Sequence, residues 1–97
     1  MTRRAARVDM NQDTIIQALL SAGAVVQSLA PVGVGCPDLL VGYGGTNYLI
    51  EVKNPGVDPN QRRLTRPQVK FHAWWKQAGQ VAIAETPKQA LEVIGAE

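Results

Sequence analysis

The sequence predicts an α/β domain in which helices flank a small mixed β-sheet. Apolar residues recur at helical spacing early in the chain, short apolar runs lie between glycine-rich turns in its middle, and two helix-start patterns follow. The predicted order of elements is α-β-β-β-α-β-α. Since the chain has 97 residues, 45% of them apolar, we expect a single domain over residues 1–97.

The first part of the chain predicts a helix, a strand and a hairpin. Residues 11–22 carry isoleucine and leucine at helical spacing, and residues 24–29 form a short run rich in β-branched side chains. Residues 38–41 and 48–53 are apolar strands on either side of the glycine-rich turn 42–47. The two strands are therefore expected to be antiparallel neighbours.

The second part of the chain predicts a long loop, a helix, a strand and a final helix. The loop over residues 54–64 is rich in proline, asparagine, glycine and arginine. Thr65 followed by Gln68 is a capping-box pattern that starts the next helix. Residues 80–84 alternate small apolar side chains and predict the last strand, and Thr86 opens the terminal helix.

The cysteine content and the basic start of the chain bear on its location. Cys36 is the only cysteine, which excludes an internal disulfide and favours a reducing cytoplasm. Residues 1–8 are basic without periodicity, so we predict a loose arm that follows a nucleic-acid backbone or is disordered. The residues after this arm are polar, and neither a signal peptide nor a membrane span is predicted.

Positive charge is concentrated between residues 53 and 76, although the formal net charge is only +2. Within that segment a single acid, Asp58, stands among the bases, which suits a phosphate-rich partner. A run of charges is more often a solvated surface, but this one lies between two residues of the predicted site described next. The candidate phosphate contacts are Arg62, Arg63, Arg66, Lys70, Arg3, Arg4 and Arg7.

Two acids and a lysine are expected to meet at one end of the hairpin. Glu51 and Lys53 share a face of their strand about 7 Å apart, and Asp38 begins the partner strand. Two neighbouring buried carboxylates need a cation, and oxygen ligands favour Mg²⁺ or Mn²⁺ over zinc. Lys53 would position the nucleophile or neutralise charge on a phosphate. Each piece is common by itself, but together they predict phosphodiester hydrolysis.

A longer set of residues carries a resemblance to a known family. Besides Asp38, Glu51 and Lys53, it consists of residues 35–42, residues 49–55, Leu64-Thr65 with Gln68, Phe71-His72 and Trp75. In order and spacing these residues resemble the PD-(D/E)xK nucleases, and among them the small stand-alone VRR-NUC domains of phages. The resemblance covers nearly the whole chain and implies a restriction-endonuclease-like fold.

The resemblance also implies roles for individual residues. Asp38, Glu51 and the backbone carbonyl of Val52 would bind the metal, Lys53 would be the catalytic lysine, and Gln68 would line the same site. The family usually adds a glutamate on the first helix, where this chain offers only Asp13 as a substitute metal ligand. Asp13 has a shorter reach, and an acid in a first helical turn also complements the helix dipole.

Other site residues keep two interpretations. Gln68 can act as the partner in the capping box, in the active site, or in both. We interpret His72 as a packed or hydrogen-bonded group outside the catalytic set. Phe71 and Trp75 are expected in the core, whereas adjacent Trp74 and Trp75 cannot both face one core, so one of them is a candidate for an interface.

Taken together, these features predict a Mg²⁺- or Mn²⁺-dependent endodeoxyribonuclease. Because no element for reading bases is visible, selectivity for DNA structure is expected. By resemblance to phage Holliday junction resolvases, the substrate would be a four-way junction, cut in the cytoplasm of a bacterial or phage-infected cell. Symmetric cutting requires two metal centres and therefore a homodimer. The alternatives are a nicking or restriction-like nuclease for other branched or duplex DNA, and an inactive DNA-binding module.

Overall fold

The computed structural model of the protein describes residues 2–58, 60 and 63–96, with side chains from residue 11 onward. Within that part of the chain four strands form one sheet in the order β1-β2-β3-β4. The strands are β1 (Val25–Ser28), β2 (Leu39–Tyr43), β3 (Thr46–Val52) and β4 (Val81–Ala84). β1, β2 and β3 pair antiparallel, and β4 pairs parallel with β3. The predicted mixed sheet and its hairpin are confirmed.

Three helices accompany the sheet in the described residues: α1 (Thr2–Ser21), α2 (Arg66–Trp75) and α3 (Pro87–Ile94). The predicted order α-β-β-β-α-β-α is thereby confirmed. α1 packs against α3 and β1, and α3 also packs against β3 and β4. In the part of the chain that the structure describes, no helix has the length and apolar character needed to cross a membrane.

The core lies between the sheet and the pair α1 and α3. Side chains alternate along a strand, so Ile50 and Val52 join the buried cluster while Glu51, between them, points to the other face. Leu39 pairs with Ile50 in the hairpin and shares its face. The core cluster is completed by Ile15, Leu19, Ala24, Val41, Ala84, Ala90, Ile94 and Ala96.

The hairpin turn is tighter than predicted. Tyr43 pairs with Thr46, so only Gly44 and Gly45 connect the strands, in place of the six-residue turn expected over residues 42–47. Both glycines have positive φ, 60° and 84°, as a two-residue turn between antiparallel strands requires. Extending both strands toward the turn does not alter the opposite end of the hairpin, where the charged residues lie.

The start of the chain corrects the prediction of a loose arm over residues 1–8. α1 begins at Thr2, so residues 2–8 are helical. Arginine and alanine are good helix formers, and this segment contains no glycine or proline to stop the helix from extending backward. The side chains of Arg3, Arg4 and Arg7 lie outside the described residues, as does Arg62, so their proposed phosphate contacts stay predictions.

α2 is held against the loop before β2 at Gly35. Gly35 has a φ of +80°, and a Cβ added there would overlap the backbone carbonyl of Pro67 in the first turn of α2. We expect Gly35→Ala to lower the free energy of unfolding by about 3 kcal/mol because strain and overlap combine. Urea denaturation measures this change.

Gly95, which follows α3, provides the control. Its φ of 76° and ψ of 18° lie in the left-handed region, and an added Cβ would meet open space. Gly95→Ala is therefore expected to lower the free energy of unfolding by only about 1 kcal/mol, the cost of the left-handed backbone. Equal losses for Gly35→Ala and Gly95→Ala would show that the overlap with Pro67 does not destabilise the protein.

Candidate active site

Asp38 is fixed at the end of the hairpin by a backbone contact. It immediately precedes β2, and its Oδ2 accepts a hydrogen bond of 2.7 Å from the Val52 backbone N–H. Because Leu39 pairs with Ile50, Asp38 lies beside the last residues of β3. The predicted approach of Asp38 to the Glu51 end of the hairpin is therefore present.

Glu51 is a buried acid with an incomplete set of contacts. Only 2% of it is exposed, and its Oε2 accepts a 3.0 Å hydrogen bond from Gln68 Nε2. Lys53 Nζ lies 3.9 Å from the same oxygen. The other oxygen, Oε1, is buried and accepts no hydrogen bond from the described residues. A buried carboxylate oxygen without a donor is costly, unless the carboxyl is protonated or a cation or water binds to it.

Burial, a hydrogen bond to the Asp38 carboxyl and the negative charge of Asp38 together raise the pKa of the Glu51 carboxyl from 4.5 to about 8, because each of them favours the protonated form. The charge of Lys53 acts in the opposite direction and does not offset these causes. Without a bound cation, Glu51 therefore carries a proton near neutral pH. Binding of a cation to Glu51 must displace that proton.

Gln68 joins the active site to the start of α2. Its Oε1 accepts hydrogen bonds from Lys53 Nζ at 2.8 Å and from the Thr65 backbone N–H at 2.9 Å. The Thr65 hydroxyl in turn accepts from the Gln68 backbone N–H at 3.4 Å, which completes the capping box. The two interpretations of Gln68, as helix cap and as site residue, both describe contacts that are present.

α1 approaches the site through residues that sequence reasoning passed over. Asn11 Nδ2 donates a 3.1 Å hydrogen bond to the Lys53 backbone carbonyl, and Gln12 lines the site cavity. Asp13, the predicted substitute for a family glutamate, is exposed and does not line that cavity. The reason is the orientation of α1, in which Ile15 and Leu19 are fully buried. The sequence signal was present, because Asn11 precedes Ile15 by one helical turn.

These residues surround a cavity of about 700 Å³ on the face of the sheet opposite the core. Asp38, Glu51, Val52, Lys53 and Gln68, five residues of the predicted site, all line it. Of the residues predicted to contact phosphate, Arg63 lines this cavity. Arg66 and Lys70 lie instead at a second cavity on α2.

The donor atoms in the cavity fit a hard divalent cation. Two carboxylates meet there and Glu51 Oε1 is free to bind, and oxygen ligands are those that Mg²⁺ and Mn²⁺ prefer. Across the described residues there is no cluster of three or more histidine, cysteine, aspartate or glutamate side chains suited to a metal. A cation bound here would therefore depend on the Val52 carbonyl and on water for its remaining ligands, which suits Mg²⁺ because it retains several waters.

The aromatic residues of α2 correct the prediction of a core position for Phe71 and Trp75. The two rings stack on each other with centroids 5.6 Å apart, and Trp75 is 37% exposed. Neither joins the core cluster, because α1 and α3 already fill the other face of the sheet. Trp74 is 62% exposed, consistent with its prediction as an interface candidate.

His72 is packed, as interpreted from the sequence. It is 5% exposed, and its Nε2 has no hydrogen-bond partner in the described part of the chain. Burial lowers its pKa, and the charges of Lys76 and Lys53 lower it further. His72 is therefore a neutral packing residue in α2.

Comparison with solved structures identifies the fold. The chain is similar to a structure described as a VRR_NUC domain, with a TM-score of 0.67 and 24% sequence identity over 91% of this chain and 94% of that chain. The protein therefore has the fold of a VRR-NUC domain, as the resemblance of its sequence predicted. No family model matches the sequence, and no curated protein does.

Proposed function

We propose that this protein is a metal-dependent nuclease that hydrolyses phosphodiester bonds in DNA. The observation that carries the proposal is the buried carboxyl of Glu51, which interacts with the carboxyl of Asp38. Its Oε1 accepts no hydrogen bond from the described residues, and its Oε2 lies 3.9 Å from Lys53 Nζ. An apolar side chain would pack this position at lower cost if stability alone mattered. The VRR-NUC fold of the chain supports the same activity.

In the proposed mechanism, Asp38, Glu51 and the backbone carbonyl of Val52 hold Mg²⁺ or Mn²⁺. The bound ion supplies Lewis acidity toward the scissile phosphate. Lys53 has one ammonium donor directed to Gln68 Oε1, which orients the group and leaves its other donors for the substrate. Those donors orient the attacking water or neutralise charge that develops on the phosphate.

The proposed substrate is branched DNA, most specifically a four-way junction cut by a homodimer. Arg63 lines the site cavity, which supports the proposal that it contacts the backbone next to the scissile phosphate. Arg66 and Lys70 extend the positive surface along α2, and Arg62 with the arginines of residues 2–8 are proposed as further phosphate contacts. Two copies are proposed because each metal centre cuts one strand.

The decisive experiment compares labelled four-way junctions, flaps, plain duplex and single strands with Mg²⁺, Mn²⁺ or a chelator. Wild type and Glu51→Ala are assayed side by side, and light scattering measures the oligomeric state. We expect symmetric junction cuts that require metal and are absent from Glu51→Ala, together with a dimer at micromolar concentration.

Other outcomes assign a different function. Equal cleavage of all substrates would identify a general or nicking nuclease. Junction binding without cutting in any metal would identify a DNA-binding module that has kept the fold. A monomer at micromolar concentration would contradict paired cutting of a junction.

A further inference from the structure

A second cavity lies on α2, outside the candidate active site. It has a volume of about 520 Å³ and is lined by Val34, Arg66, Pro67, Lys70, Phe71 and Trp74, which together we call the aromatic pocket. None of the residues that the structure describes lines both this pocket and the active-site cavity. Its volume is in the range of sites that bind small molecules or single nucleotides.

The pocket combines aromatic surface with positive charge, and no acid is among the described residues that line it. Arg66, Lys70 and Trp74 are spaced four residues apart and so form one stripe along α2. The rings of Phe71 and Trp74 meet edge to face, with centroids 5.7 Å apart and planes inclined at 81°. Two perpendicular rings form a corner in which a flat group can stack on one ring and contact the other.

One residue that lines the pocket, Val34, has a strained backbone. Val34 has a φ of 51°, which is unfavourable for a β-branched residue and costs about 1–3 kcal/mol. It is 89% exposed, so burial does not offset this cost. A strained residue whose apolar side chain is held out in solvent at the edge of an aromatic pocket indicates a binding function.

We propose that the aromatic pocket binds an unpaired base of the nucleic-acid substrate, with the base stacked in the corner of Trp74 and Phe71 and the adjoining phosphates on Arg66 and Lys70. Cations alternating with exposed aromatic rings are the usual means of binding single strands without reading their sequence. Acidic or purely apolar partners do not match this combination, because the first would leave the rings uncovered and the second would bury two cations.

The proposal rests on the proposed nuclease function for its biological meaning, since it supplies a source of selectivity for DNA structure. Gln68 lies on α2 two residues from both Arg66 and Lys70, so the pocket and the active site occupy different sides of the same helix. A strand that reaches the active site can therefore place a neighbouring unpaired nucleotide in the pocket. The interior of a continuous duplex offers none, because its bases are paired and stacked, whereas stacking is interrupted at the branch point of a junction, where a base is extruded at lower cost.

The test measures binding without cleavage. Fluorescence anisotropy with chelator present gives the dissociation constants for a labelled eight-nucleotide oligothymidylate and for an abasic strand of the same length. We expect wild type to prefer the strand with bases. Trp74→Ala should weaken oligothymidylate binding about 5- to 150-fold and abolish this preference, since base stacking contributes about 1–3 kcal/mol.

Matched variants separate stacking from charge and from folding. Trp74→Phe keeps a ring and should bind oligothymidylate within about threefold of wild type. Val69→Ala alters an exposed apolar residue of α2 that does not line the pocket, and should bind as wild type does. Lys70→Gln should reduce the slope of log affinity against log salt by about 0.7 while keeping the preference for bases.

Three results would overturn the proposal. One is equal affinity of wild type for the two strands, and another is unchanged oligothymidylate binding in Trp74→Ala. The third is a Trp74→Ala variant that loses a dimer seen by light scattering yet binds DNA normally, which would make the pocket a contact between copies. Failure of the proposed nuclease function would be seen separately, as absence of cutting when metal is restored.

Discussion

Lys53→Met should reduce the single-turnover rate of DNA cleavage by about 10²- to 10³-fold while the protein stays folded. Methionine keeps the length and apolar contacts of the lysine stem but lacks the ammonium that faces Glu51 and Gln68. The loss corresponds to removal of one preorganised charge from the transition state. Quenched-flow assays at saturating metal measure the rate.

The control for this variant is Lys88→Met, which removes an equal charge from an exposed position on α3. Its cleavage rate should stay within about twofold of wild type. Metal affinity, measured by calorimetry, should not fall in Lys53→Met, because the proposed metal donors are Asp38, Glu51 and the Val52 carbonyl. Cleavage at the wild-type rate in Lys53→Met would remove Lys53 from the mechanism.

Glu51→Gln is expected to stabilise the metal-free protein at alkaline pH. The ordinary carboxyl pKa of 4.5 applies to the unfolded chain, and the folded protein holds Glu51 at about 8. Between these values the unfolded state ionises while the folded state keeps its proton, so the free energy of unfolding falls by about 1.4 kcal/mol per pH unit. Above pH 8 the free energy of unfolding stops falling. Glu51→Gln is neutral at every pH and therefore does not lose stability in this way.

Urea denaturation with chelator present, from pH 4.5 to 9, tests this expectation. The variant and wild type should agree near pH 4.5 and differ by a few kcal/mol above pH 8, with the variant more stable. Glu92→Gln, at an exposed position on α3, should follow the wild-type curve. Added Mg²⁺ should stabilise only proteins that retain Glu51. Parallel curves for wild type and Glu51→Gln would contradict the raised pKa.

The sequence predicted the parts of the fold that depend on local patterns. Three patterns act over only a few residues each: the glycine-rich turn, the alternation along β3 and the capping box at Thr65. They allowed the hairpin, the opposite orientation of Glu51 and Val52, and the start of α2 to be inferred. The meeting of Asp38 with Glu51 follows from the hairpin alone.

Features that depend on packing between distant elements could not be inferred. On α1, two apolar stripes one residue apart are both compatible with the sequence, and only the contact with α3 selects Ile15 and Leu19. For that reason Gln12 rather than Asp13 lines the site cavity. Periodicity likewise identified an aromatic face on α2 but not whether the sheet would cover it.

Gln68 couples the folding of the first turn of α2 to the orientation of Lys53. The same Oε1 accepts from the Thr65 backbone N–H and from Lys53 Nζ, so opening the first turn of α2 withdraws the acceptor that orients the lysine. The competent population is then the fraction of molecules in which that turn is closed, and the apparent rate scales with this fraction. If phosphates of the substrate contact Arg66, as proposed, binding would hold the turn closed and the substrate would raise the competent population.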